Sequence, residues 1–261
     1  MLKKMCGLRA SAAALALTAW TGLGTAAAET PGPPPKAPTR TWDLKLGLSY
    51  LATAGNTETS STGFDAATHQ EWGLWAFEGS AAAVRATRGE VDTAESYGLQ
   101  LRSERKVSDR LQLTAGLRGE RNRFAGIDLR TITDTSVQWS ALDTPTWKLR
   151  TLSGLSWTRE DPRGERPMGD VLGGLLQVDS VVKLSEGAEL RGRMTTYPDL
   201  EDGGNFRIDS HLGLQAALNR HLAVRLGYEV KYDHEPVRGF GTTDSSSTAS
   251  LVVQLGQRGQ G

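Results

Sequence analysis

The chain contains four histidines, and one of them is spaced so that a carboxylate could make it a catalytic base. These histidines are His69, His211, His221 and His234. If segments 205–218 and 221–233 form a hairpin, His211 lies opposite Glu229, and a carboxylate there would orient the imidazole ring as a base. No serine in the opposing register completes a nucleophilic triad, and the other histidines do not converge on this pair. We therefore predict no catalytic residues.

Metal and redox chemistry find equally little support. Asp199, Glu201 and Asp202 form an acidic stretch that could attract calcium, but a solvated turn is the favoured interpretation. No two histidines have the spacing of a zinc site. Cys6 is the only cysteine, and it falls inside a predicted signal peptide, so the mature chain would have no thiol for a disulfide, a zinc ligand or a nucleophile. We predict no metal and no cofactor.

The same hairpin would set charged side chains against each other on one face. Closing it over Asn219, Arg220 and His221 brings residues whose numbers add up to 440 opposite one another. A shift by one residue would place apolar side chains opposite charged ones on both faces. The resulting charge pairs are Arg207 with Asp233, Asp209 with Lys231, and His211 with Glu229. We interpret them mainly as braces inside a lumen, with a selectivity ring for a charged solute as the alternative.

These side chains belong to a pattern of period two that runs from Trp42 to Leu255. In the first segment Trp42, Leu44, Leu46, Leu48 and Tyr50 alternate with polar or small residues. The repeat predicts an all-β fold, a transmembrane antiparallel up-and-down β-barrel of about 12 strands, because strands in lipid can leave no edge unpaired. The predicted strands are roughly 42–53, 58–69, 71–84, 94–105, 110–122, 128–139, 146–158, 170–183, 188–198, 205–218, 221–233 and 243–255.

The connections between these segments alternate in character. The odd-numbered ones, such as 85–93 and 234–242, are mostly long and polar, whereas the even-numbered ones, such as Gln70 and 107–109, are mostly tight. Long external loops, short periplasmic turns and two periplasmic termini are expected of an outer-membrane barrel. Aromatic residues near the predicted strand ends would form two interfacial girdles, with Trp42, Trp139 and Trp147 on the periplasmic side and Tyr50, Trp157, Phe206 and Tyr232 on the external side.

The N-terminal region has the composition of an export signal. Basic residues at Lys3, Lys4 and Arg9 precede an apolar stretch and the small residues at 26–28, so we predict a signal peptide over 1–28. A Pro-rich periplasmic tail at 29–41, a barrel at 42–255 and a C-terminal tail at 256–261 would follow. Without the signal, 27 basic residues face 30 acidic ones, which argues against a nucleic-acid partner.

Three motifs resemble a known family in their order and spacing. They are Gly55-Asn56-Thr57-Glu58-Thr59, the segment from Arg123 to Arg130, and Tyr228 to Pro236 followed by Asp244 and Leu251-Val252-Val253. Together they are similar to the domain-of-unknown-function 481 family, which resembles salt-induced outer-membrane proteins of Gram-negative bacteria. The resemblance covers nearly all of the mature chain. It implies an outer-membrane barrel without a settled substrate.

Three classes of function remain open at this point. The favoured one is a non-enzymatic barrel of the cell outer membrane, either a narrow porin-like pore for small polar solutes or a structural component of the envelope. The alternatives are an outer-membrane hydrolase and a soluble periplasmic ligand-binding β-barrel, which would also show alternation. The expected partners are outer-membrane lipid, the outer-membrane assembly machinery and a small polar solute.

Overall fold

The computed structural model describes residues 40–53, 59–163 and 168–257. This part of the chain forms twelve β-strands and one short 3₁₀ turn at Arg123–Ala125. The strands are β1 Arg40–Thr53, β2 Thr59–Trp72, β3 Trp75–Arg88, β4 Val91–Lys106, β5 Leu111–Asn122, β6 Ile127–Asp143, β7 Trp147–Pro162, β8 Gly169–Lys183, β9 Ala188–Pro198, β10 Phe206–Ala217, β11 Leu222–Asp233 and β12 Thr243–Gln257. The predicted number of strands is confirmed.

The strands close into one barrel. Each pairs with its neighbours in the chain, and β1 pairs with β12 from Trp42 opposite Gln257 to Ser49 opposite Ser250. All pairs are antiparallel. The predicted up-and-down topology is therefore confirmed, and closure removes the free edges that an open sheet would leave.

Two turns differ from the prediction. The tight turn between β2 and β3 lies at Gly73–Leu74 rather than at Gln70, and a two-residue turn at Gly89–Glu90 replaces the long loop expected over 85–93. Gly73 and Gly89 have φ angles of 61° and 59°, a conformation that glycine adopts without steric cost. Polar composition marked this region as a loop, but the glycine allowed the strands to continue to a tight hairpin.

The two ends of the barrel carry different connections. At the end where β1 begins and β12 ends, which we call the short-turn end, the turns are 73–74, 107–110, 144–146, 184–187 and 218–221. At the opposite end, which we call the long-loop end, the fully described connections are 89–90, 123–126, 199–205 and 234–242. The connections 199–205 and 234–242 follow the expected asymmetry, whereas 89–90 and 123–126 are no longer than the turns at the short-turn end.

Several predicted segments lie outside the described residues. These are the signal peptide at 1–28, the Pro-rich tail up to residue 39, and residues 258–261 of the C-terminal tail. The first strand starts at Arg40 and the last ends at Gln257, so the barrel takes up two residues of each predicted tail. Within the described ranges, no helix is long and apolar enough to cross a membrane.

The two faces of the barrel are inverted relative to a water-soluble protein. Large apolar side chains point outward and are exposed, such as Leu48 at 65% and Leu226 at 52%. Charged side chains on the other parity point inward and include buried ones, such as Glu120 and Arg130. The predicted assignment of faces is thus observed, and the functional side chains must be sought in the lumen.

Candidate functional site

The lumen has a wide part and a packed part. A cavity of about 760 Å³ opens at the short-turn end, and we call it the vestibule. Toward the long-loop end lie small cavities between the side chains, two of them of about 100 and 30 Å³. The residues that fill this half form the ion-pair layer, which consists of Arg118, Glu120, Arg130, Glu160, Arg207, Asp209, Lys231 and Asp233.

One half of the ion-pair layer joins β5 to strands on the far side of the barrel. Arg118 on β5 donates a hydrogen bond of 2.5 Å to Asp209 on β10 and a second of 3.3 Å to Glu120. Lys231 on β11 donates to Glu120 at 2.6 Å. Since β5 and β11 are six strands apart in a ring of twelve, this chain of charges spans the lumen from wall to wall.

The other half of the layer is built around an arginine on β6. Arg130 donates to Glu160 on β7 at 2.6 Å and to Asp233 on β11 at 3.0 Å. Arg207 on β10 bonds the Thr158 hydroxyl at 2.9 Å and lies 3.5 Å from Glu160. The Arg130–Asp233 contact again crosses the lumen, so the two halves together leave no wide path through this level.

The structure keeps the predicted register but changes the ion partners. Arg207 lies opposite Asp233, Asp209 opposite Lys231, and His211 opposite Glu229, as expected. The contacts within 4 Å, however, are Asp209 with Arg118, Lys231 with Glu120, Asp233 with Arg130 and Arg207 with Glu160. Glu229 lies 4.0 Å from Lys231 of its own strand, and no contact joins it to His211 among the described residues.

The reason for the changed partners is geometric. Directly opposed residues on neighbouring strands can pair, as Arg130 and Glu160 do. Long side chains also reach across the lumen, and there Arg118 meets Asp209 and Lys231 meets Glu120 end to end. Alternation shows which residues point inward, but it holds no signal for which opposite strand they reach, so Arg118, Glu120, Arg130 and Glu160 were not assigned as partners from the sequence.

The β11–β12 loop covers the ion-pair layer from the long-loop end. Val237 of this loop is buried, and a methyl group placed on Gly126 would lie 2.6 Å from the Phe240 ring and 3.0 Å from Val237. Gly126 has a φ of 74°, which suits the tight β5–β6 turn, and its lack of a side chain leaves room for the β11–β12 loop to pack against it. Nothing in the loop sequence predicted that this loop packs over the end of the barrel.

No catalytic arrangement forms around the histidines that the structure describes. His69 has both ring nitrogens near carboxylates, with Glu71 at 3.2 Å and Glu78 at 3.4 Å, so neither nitrogen is free to activate a hydroxyl. His221 contacts the carbonyl of Gln254, and His234 contacts the hydroxyl of Tyr232. Around His211 no hydroxyl and carboxylate within hydrogen-bond distance complete a triad.

The acidic stretch after β9 forms a turn in the structure. Asp199 accepts hydrogen bonds from the backbone amides of Glu201 at 2.8 Å and Asp202 at 3.1 Å. These bonds engage its carboxylate in the local fold, as in an Asx turn. Within the described residues, no group of three or more histidine, cysteine or acidic side chains is arranged to hold a metal ion.

A family model for a protein family of unknown function, DUF481, matches residues 46–255. The chain belongs to this family. The match runs from within β1 to within β12 and confirms the resemblance drawn from the motifs. The family carries no stated function, so a link to salt stays a prediction.

Comparison with curated proteins finds no match. Among solved structures, the NanC porin is 13% identical with a TM-score of 0.44, covering 82% of this chain and 97% of that one. An outer-membrane channel from Pseudomonas putida F1 is 10% identical with a TM-score of 0.47, covering 87% and 100%. The KdgM porin is 9% identical with a TM-score of 0.39, covering 81% and 97%. Because these likenesses are remote, the function of this chain must be inferred from its own residues.

Proposed function

We propose that this chain is a non-enzymatic barrel of the outer membrane and forms a narrow pore for small polar solutes. The observation that carries the proposal is a charged lumen with a 760 Å³ vestibule inside an apolar exterior. The ion-pair layer forms the constriction, since its contacts join opposite walls. In this arrangement the permeating species must pass between charged side chains rather than through a wide aqueous channel.

The exterior supports the membrane location. Transfer of apolar surface out of water is favourable by about 25 cal/mol per Å², so the exposed outer face would be strongly unfavourable in a soluble protein. Outward aromatic side chains lie toward both ends, with Trp42, Trp139 and Trp147 near the short-turn end and Tyr50 and Trp157 near the long-loop end. Rings at these two levels suit the two interfaces of a bilayer, which disfavours a soluble periplasmic binding barrel.

The orientation follows from the connections. We place the short-turn end and both termini in the periplasm and the long-loop end outside, as in other exported barrels. Outer-membrane lipid and the outer-membrane assembly machinery are then the proposed partners, with no nucleic acid. Export would use the signal peptide over 1–28. The vestibule faces the periplasm in this orientation, and the ion-pair layer faces the cell exterior.

A structural role in the envelope is the second candidate, because contacts across the lumen also brace the barrel. The vestibule favours a pore over this role, since a purely structural barrel gains nothing from a polar cavity of this size. A hydrolase is disfavoured because both ring nitrogens of His69 lie near carboxylates and because no nucleophilic triad forms at His211 within the described residues.

Planar-bilayer conductance of the refolded protein tests the pore. The double variant Arg118→Ser with Asp209→Ser removes one cross-lumen pair without changing net charge, and its conductance should exceed that of the wild type several-fold. Arg102→Ser with Asp134→Ser is the matched control. That pair, 3.2 Å apart, joins β4 and β6 on one wall, so its removal should leave the narrowest level and the conductance unchanged. Absence of conductance in all three proteins would reject the pore and leave the structural role.

A further inference from the structure

The charges that line the vestibule are separated onto opposite walls. In a closed ring of twelve strands, β1, β2 and β3 face β7, β8 and β9. The charged lining residues of β7–β9 are five cations and one acid, namely Lys148, Arg150, Lys183, Arg191, Arg193 and Glu189. The charged or titratable lining residues of β1–β3 are three acids, one lysine and one histidine, namely Asp43, Glu71, Glu78, Lys45 and His69.

Local partners reduce this separation but do not remove it. On the basic wall, Arg191 pairs with Glu189, Arg193 with Asp179, and Lys148 with Asp143. Arg150 and Lys183 make no ion pair within 4 Å in the described part of the chain. On the acidic wall, Glu71 and Glu78 share the single ring of His69, and the three acids of this wall outnumber its lysine and its histidine together.

One cation and one carboxylate without close ion partners face each other at similar depth. Asp43 on β1 makes no ion pair within 4 Å among the described residues, and β1 lies opposite β7, which carries Arg150. Asp43 is three residues from the start of its strand at Arg40, and Arg150 is three residues from the start of its strand at Trp147. Both strands start at the short-turn end, so the two groups lie on opposite sides of the vestibule near its mouth.

We propose that the vestibule binds zwitterionic solutes, with their anionic group toward β7–β9 and their ammonium group toward β1–β3. This inference rests on the proposed function, because it requires that a solute enters the vestibule. A solute with one charge gains attraction from one wall only and meets like charge on the other. A dipolar solute aligned across the lumen gains from both walls, and the volume of the vestibule lies within the range of about 300–1,000 Å³ for small-molecule sites.

Four forms of one tripeptide test this proposal by isothermal titration calorimetry on the refolded protein in detergent. They are triglycine, its N-acetyl form, its C-terminal amide, and the form capped at both ends. We expect triglycine to bind about twofold to fivefold more tightly than either singly capped form, which is the range for partly solvated ion pairs. Equal binding of all four, tighter binding of the N-acetyl anion, or no binding of triglycine would overturn the proposal.

Variants on the two walls should separate the two ends of the solute. Arg150→Gln should weaken binding of the forms with a free carboxylate and leave triglycine amide unchanged, whereas Asp43→Asn should weaken the forms with a free amine. Arg105→Gln is the matched control, because Arg105 lies at the same end of the barrel but outside the lumen, 5.6 Å from the Trp75 ring. Arg150→Lys should restore carboxylate binding, and unchanged peptide selectivity in both Arg150→Gln and Asp43→Asn would contradict the wall assignment.

Conductance measured on the same preparations distinguishes this inference from the proposed pore. Conductance without discrimination among the four peptides would overturn the zwitterion site and leave the pore. Graded binding of the peptides without conductance would support the site and reject the pore. Migration on unboiled gels confirms that each variant is folded before its binding is compared.

Discussion

The Arg118 guanidinium on β5 contacts the Asp209 carboxylate on β10 at 2.5 Å, although the two strands are five apart around the barrel. Lys231 and Glu120 make a second contact of 2.6 Å across the same level. Side chains from facing walls of the barrel therefore narrow the lumen at this level. The loop at 234–242 covers this closure from the long-loop end but does not form it.

The first prediction concerns which charges are partners. Asp209→Asn should lower the free energy of unfolding by about 1–3 kcal/mol, because Arg118 loses the closer of its two charged acceptors and keeps only Glu120. The exchange of Arg118→Asp with Asp209→Arg should recover part of this loss, since it restores the pair across the lumen but places a second carboxylate beside Glu120. Urea unfolding of the refolded protein in lipid vesicles measures both effects.

The neighbouring exchange on β10 and β11 is the control for that result. Asp209→Lys with Lys231→Asp swaps two residues that lie opposite in the register but whose ion contacts are with Arg118 and Glu120. This double variant would set like charges against both partners, so it should be less stable than either single substitution by neutral residues. Full recovery by this exchange would show that the register pair, rather than the cross-lumen pair, carries the stability.

The second prediction concerns the packing of the external loop. Gly126→Ala should destabilise the loop, because alanine is strained at a φ of 74° by about 1–2 kcal/mol and its methyl group would collide with the Phe240 ring. Phe240→Ala removes the same contact without strain in the turn. Both variants should increase protease cleavage within 234–242 on intact vesicles.

Gly239→Ala is a control for strain alone, since its φ is 92° but no atom lies within 4 Å of the added methyl group. Cleavage at the wild-type rate in Phe240→Ala would contradict the packing.

The third prediction tests the assignment of faces. Leu226→Arg places a charge in the lipid and should cost roughly 2–4 kcal/mol if the site lies near the bilayer midplane. Gln215→Arg is the matched variant, because Gln215 lies on the adjacent strand β10 and lines the vestibule. Its folded yield should stay near that of the wild type, as shown by the fraction that migrates fast on unboiled gels. Equal losses in the two variants would mean that the outer face is not in lipid.

The sequence predicted the elements that depend on local pattern. The alternation through 221–233 identified the faces of β11 correctly, since the register with β10 follows from matching apolar and charged parity. The limits of this reasoning appear at Ala223, which has the inward parity and would be expected to border an open lumen. In the structure Ala223 and Val252, which lie opposite each other on β11 and β12, are both fully buried.

The candidate site depended on contacts that no local pattern encodes. The facing walls of the ion-pair layer come from strands that are about 90 residues or more apart in the chain, as with Arg118 and Asp209. Their meeting depends on the curvature and tilt of the closed barrel, which alternation does not determine. The separation of charge in the vestibule likewise emerges only when β1–β3 are known to face β7–β9.

The fourth prediction concerns location in the cell. The protein should sediment with membranes and resist extraction by carbonate, because the exposed outer face has no other apolar surface to cover it. It should also migrate faster on gels before boiling than after, as a closed barrel keeps its compact form in detergent. Recovery in the soluble periplasmic fraction would reject the membrane location and favour the soluble binding barrel.

The last prediction concerns ion selectivity at the constriction. The ion-pair layer balances four cations with four carboxylates, so the wild type should discriminate only weakly between small cations and anions. Asp209→Asn makes the local field more positive and should shift the reversal potential in a salt gradient toward anion preference, whereas Arg118→Gln should shift it toward cations. Asp170→Asn is the control, because Asp170 pairs with Arg159 and both side chains project outward at the end of the barrel. Opposite shifts in the two lumen variants with none in the control would place the constriction at this level, and equal shifts in all three would place it elsewhere.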